Sequence, residues 1–144
     1  MKRKIHILAA TVAILCILTF ITSTVLVELF GSTAEISTIK TLIVTPGLFI
    51  LIPAMAILGI TGTKMAGNSK NILIIKKQKR MKLIAANGLF ILTPCAIILS
   101  QWAQAHTFDS SFYTLQLIEL LSGTTNLSLM TINMRDGLKL TEKT

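Results

Sequence analysis

The residues best able to do chemistry lie in one stripe near the end of the chain. Glu119, Asn126 and Asn133 are spaced by seven in a run that is otherwise mainly Leu, Ile and Met, with Gln116, Ser122 and Gly123 close by. At 3.6 residues per turn a spacing of seven returns to nearly the same angle, so a helix here carries one narrow polar face. A carboxylate on such a face can carry a proton or hold a cation. In a lipid-embedded helix it must be paired, hydrated or protonated. The expected state of Glu119 is a neutral acid facing the bundle interior with Gln116 and Asn126, hydrogen-bonded to Thr22, Ser23 or Gln101. Asn126 and Asn133 read as interhelical hydrogen-bond glue, with Asn87 the expected partner of Asn133.

Other chemistries are poorly served. His6 and His106 fall at opposite ends of long apolar runs, some 30 Å apart if those runs cross a bilayer, which disfavours a bis-histidine haem. The two cysteines, Cys16 and Cys95, have no CxxC spacing, and no metal-ligand, phosphate-loop or nucleophile-elbow motif appears. These absences argue against a soluble-type active site and leave any cofactor unknown.

The elements that must position the stripe follow from composition. Of 144 residues, 52% are hydrophobic and 14% charged, and the mean hydropathy is +0.72; a soluble domain carries about 25% charged residues. Four apolar runs are near the roughly 20 residues that span a bilayer as helix: 5–29, 38–63, 82–105 and 112–134. The expectation is an all-α integral membrane bundle forming a single membrane domain. The first run is too long for a signal-peptide core and reads as a retained anchor. Its small residues Ala9, Ala13, Cys16 and Ser23 suit close helix packing.

Charge orients the bundle. Lys2, Arg3 and Lys4 precede the first run, seven basic residues lie between Lys64 and Lys82, and Arg135, Lys139 and Lys143 follow the fourth. Only Lys40 falls on the other side. Short basic loops stay cytoplasmic, so both termini are expected inside a bacterial cytoplasmic (inner) membrane. Trp102, Phe108, Phe112 and Tyr113 then form the outer aromatic belt. Without base-reading elements the +8 charge does not point to nucleic acid. The basic loop 64–81 points instead to anionic lipids, with Lys76, Lys77, Lys79 and Arg80 as expected contacts.

The second and third runs repeat each other. Gly47-Leu48-Phe49-Ile50-Leu51-x-Pro53 recurs as Gly88-Leu89-Phe90-Ile91-Leu92-x-Pro94, and at an offset of 41 ten of twenty positions are identical. The two runs cross in opposite senses, so this is an internal inverted repeat, with helix kinks expected at Pro53 and Pro94.

The segments Arg80–Phe90, Phe112–Glu119 and Asn133–Leu138 resemble a group of small, uncharacterised bacterial inner-membrane proteins with four spans. That resemblance implies the topology and no activity. The expected function is that of a non-enzymatic accessory or assembly subunit of a larger membrane complex. The alternatives are a small oligomeric proton- or cation-coupled transporter using Glu119, and a membrane electron-transfer protein.

Overall fold

The computed structural model describes residues 2–142; Lys143, counted among the inner basic residues above, lies outside them. All elements are helical: α1 (Lys2–Phe30), α2 (Thr33–Leu42), a π turn (Ile43–Leu48), α3 (Phe49–Ala66), α4 (Ile72–Asn87), a second π turn (Gly88–Leu92), α5 (Thr93–Gln104) and α6 (Ser110–Glu142). They make four rods: α1, α2 with α3, α4 with α5, and α6. The segments Lys2–Phe30, Thr33–Ala66 and Ile72–Gln104 are each long and apolar enough to cross a membrane.

The connections are short because local chemistry ends each helix sharply. Gly31 follows α1, where an added Cβ would stand 2.7 Å from the Val27 carbonyl oxygen. Ser32 then caps α2: its hydroxyl accepts from the Glu35 amide, while the Glu35 carboxylate accepts from the Ser32 amide at 2.6 Å. Gly67, with φ of 50°, ends α3. The Asp109 carboxylate accepts from the Phe112 amide at the start of α6.

The helices are longer than the apolar runs. α4 begins at Ile72, ten residues before the expected third span, so most of the basic loop is helix, and α6 runs on to Glu142. Both π turns precede a repeat proline, but the sharp break in the second rod is at Thr45 (φ −135°, ψ 109°), just before Pro46. A proline disfavours helical geometry in the residue before it, which makes Pro46, not Pro53, the site of this break. Pro53 lies inside α3. Pro94 follows the wide turn in which Gly88 O accepts from both the Thr93 amide and the Thr93 hydroxyl.

The core follows the small-residue face of α1. Ala9, Ala13 and Ile17 pack with Leu51, Ala54 and Leu58 of α3, and with Ile84, Ala96 and Met130. At the other end Ile36, Leu99, Ala103 and Phe112 form a second cluster. Phe112, expected in the aromatic belt, is fully buried there, edge-on to Phe108 with ring centroids 5.0 Å apart. The repeated blocks share part of their inside–outside pattern, although Leu48 is buried and its counterpart Leu89 is exposed. Ile43 and Ile84, and Leu58 and Leu99, are buried, whereas Phe49 and Phe90 are 74% and 73% exposed.

The copies differ at their glycines. A Cβ on Gly47 would lie 2.7 Å from the Phe20 ring, whereas one on Gly88 meets only the Asn126 amide nitrogen at 3.6 Å. Gly47→Ala is therefore expected to lower stability by about 1–3 kcal/mol, while Gly88→Ala is tolerated. Thermal unfolding in mild detergent reads the difference, and adding Phe20→Leu should restore much of the Gly47→Ala loss.

Candidate functional site

The polar stripe of α6 faces the other helices, and its members have separate partners. Gln116, Asn126 and Asn133 are all buried, at 5%, 1% and 4% exposure. Glu119 is ion-paired: its Oε2 lies 2.6 Å from Lys40 Nζ, with the Lys40 side chain 1% exposed and that of Glu119 12% exposed. This replaces the expected neutral acid bonded to Thr22, Ser23 or Gln101. Lys40 lies in the last turn of α2, and the packing of Ile36 against Leu99 and Ala103 of α5 carries that turn into the bundle. The Ser23 hydroxyl donates instead to the Thr19 carbonyl, 2.7 Å away on its own helix. Sequence alone placed Lys40 as the one outer base and held no sign of a partner on α6.

Beneath the ion pair is a small cavity of about 50 Å³, lined by Thr24, Ile43, Leu48, Ala96, Glu119 and Gly123 among others. That is room for water, which needs about 10–15 Å³ of such space, and two of the named lining residues are polar. Gln116, one turn above Glu119, keeps a buried Oε1 without a donor, as does Glu28 on α1.

Asn126 bridges two rods. Its carbonyl oxygen accepts from Asn87 Nδ2 at 2.8 Å, its own amide donates to the Ile84 carbonyl, and Asn87 Nδ2 also donates to the Ser122 carbonyl. Asn87 thus meets Asn126 rather than Asn133. The early start of α4 explains the change: Asn87 is the last residue of a 16-residue helix, well away from its inner end. The partner of Asn133 is Arg80, whose Nη1 donates to Asn133 Oδ1 at 2.7 Å while Nη2 donates to Asp136 Oδ2 at 2.7 Å. Asp136 was not singled out in the sequence; its spacing of three from Asn133 was the available signal. Arg80 and Lys77, expected at lipid headgroups, are turned toward α6. The Asn133 amide approaches the Lys77 carbonyl at 3.4 Å, and Lys77 Nζ crowds Gly137.

The histidines remain apart: His6 Nδ1 bonds Thr61 at 2.9 Å, and His106 lies in the turn between α5 and α6 with φ of 54°. Cys16 and Cys95 are free thiols. Among the described residues no group of three or more His, Cys, Asp and Glu is placed to hold a metal. Comparison with protein-family models, curated proteins and solved structures finds no match.

Two outcomes test these contacts. Removing one member of the buried ion pair leaves the other charge uncompensated, a cost of about 3–5 kcal/mol. Lys40→Met and Glu119→Leu should each destabilise by that order, and the double variant should recover most of the loss; additive losses would mean that the pair is not coupled. At the other end, the Arg80 hydrogen bond holds the Asp136 carboxyl below the usual carboxylate range. A carboxyl lowered by folding contributes stability that is complete above its unfolded value and lost as pH falls through the folded one. Thermal midpoints measured from pH 6 downward should therefore fall in the wild type below about pH 4, and this component should be missing in Asp136→Asn.

Proposed function

We propose that this chain is a four-span protein of a bacterial cytoplasmic membrane, with both termini inside, acting as a non-catalytic accessory or assembly subunit of a larger membrane complex. The observation that carries the reading is how the intramembrane polar groups are used. Lys40 with Glu119, Asn87 with Asn126, and Arg80 with Asn133 and Asp136 satisfy one another across helices. The hydroxyls of α6 are also met locally: Thr124, Thr125, Ser128 and Thr131 each donate to the carbonyl four residues earlier. This supports α6 as the fourth span despite its Ser and Thr content, since backbone and side-chain groups in lipid must be satisfied internally. The rods turn many large apolar side chains outward, including Leu8, Leu29, Phe49, Phe90, Leu117 and Leu121. That belt suits lipid and neighbouring membrane helices.

A second reading rests on one observation: Glu119, the partner of Lys40, also lines a partly open space large enough for water. A buried pair that opens and closes around a proton or small cation is the core of a coupled carrier, in which the protein works as an oligomer. Mild extraction followed by identification of the bound proteins separates the two readings. Stoichiometric co-purification of unlike membrane subunits is the expected result. A homo-oligomer that moves protons or cations in vesicles, and stops when Glu119 is changed to Gln, would overturn the accessory reading in favour of the carrier.

A further inference from the structure

The cytoplasmic-side helix α4 divides its basic residues between two faces. Lys77 and Arg80 point toward α6, on the same side as the buried Ile84. Lys76, Lys79 and Lys82 are exposed, as are Ile72 (67%), Ile75 (38%) and Leu83 (56%). At 100° per residue these six outward residues fall within about 120° of arc, and the three lysines climb the helix in steps of about 4.5 Å. We infer that this outward face of α4 is a binding surface for the phosphate headgroups of anionic phospholipids in the cytoplasmic leaflet, with Lys76, Lys79 and Lys82 as its contacts.

The choice of lipid over an acidic protein follows from what lies between the lysines. Ile72, Ile75 and Leu83 share their face, and the helix continues through the π turn into the apolar third rod without leaving its line of residues. A face on which ammonium groups alternate with exposed aliphatic side chains, directly continuous with a span, matches the boundary between acyl chains and headgroups. There a lysine stem lies along the chains and its ammonium reaches the phosphates. A soluble acidic partner would leave the isoleucines and Leu83 without apolar cover. Lys76 and Lys79 stay from the sequence-based set, Lys77 and Arg80 leave it, and Lys82 joins. Each lysine at an anionic leaflet adds about fivefold in affinity, so three together give a strong preference.

The inference rests on the membrane placement proposed above but not on the accessory role, so the two can fail separately. Full-length protein is reconstituted in phosphatidylcholine nanodiscs containing a minor fraction of phosphatidylglycerol, and the lipid retained on release is counted by native mass spectrometry. Wild type should retain phosphatidylglycerol in excess of its share. The triple variant Lys76→Gln/Lys79→Gln/Lys82→Gln should lose at least about tenfold of that selectivity, with its thermal midpoint in detergent unchanged. A control of equal charge change, Lys64→Gln/Lys70→Gln/Lys139→Gln, should lose much less. Equal losses in the two triples would overturn the site in favour of diffuse attraction. Unaltered lipid selectivity in the first triple would also overturn it, as would loss there of a bound acidic protein alone. The single variant Lys79→Glu gives the same reading should the triple fail to fold, since reversal of the central charge must then lower selectivity.

Discussion

A charge withdrawn from water must be met by a partner within the chain, and in this bundle that constraint is concentrated in Lys40 and Glu119. Among the described residues they are each other's ion-pair partners, and their 2.6 Å contact joins the second rod to the fourth, 79 residues apart in sequence. The pair fixes how α2 must lie. Ile36 packs among Leu99, Ala103 and Phe112, and one turn further on Lys40 reaches α6. The break at Thr45 then lets the rest of the second rod take a different line, along which Leu51, Ala54 and Leu58 of α3 pack with Ala9 and Ala13 of α1.

The other end of the bundle is tied by neutral and charged hydrogen bonds in series along α4 and α6. Asn87 meets Asn126, and Arg80, seven residues earlier, meets Asn133, seven residues later. The matched steps of seven are what two antiparallel helices in register require, because each step is nearly two full turns. Asp136 adds a carboxylate to the outermost of these contacts, where the Arg80 guanidinium is 19% exposed. Such pairs contribute less through their net energy than through the alternatives they forbid: a slip of α6 by one turn would leave an asparagine, an arginine and a glutamate without partners. Register between the two rods is therefore set by polar residues, while the closeness of α1 to α3 is set by alanines.

Much of the architecture was legible in the residues. Period-3.6 placement of Glu119, Asn126 and Asn133 identified the inward face of α6, and the shared Gly-Leu-Phe-Ile-Leu-x-Pro block marked two segments that match in burial at some positions, such as Phe49 and Phe90, and differ at Leu48 and Leu89. Helix ends were less legible, because a helix can run past its apolar stretch when lysines and short polar residues continue it, as at Ile72 and beyond Met134. That error shifted Asn87 along α4 and paired it with the wrong asparagine. The partner of Glu119 was hidden for a different reason. Lys40 reads as a topological outlier in a charge count, and only the packing of α2 against α5 turns it inward. Pro46 has no counterpart in the other copy of the repeat, where Asn87 stands, yet its effect on Thr45 is local chemistry.

The most direct measurement of this account is the distance between Lys40 Nζ and the Glu119 carboxyl carbon in the protein embedded in lipid, by solid-state NMR recoupling of a ¹⁵N-lysine and ¹³C-glutamate sample. A direct ion pair predicts a separation of about 3–4 Å. A separation beyond roughly 6 Å, with each group solvated on its own, would contradict the claim that this pair holds the second and fourth rods together.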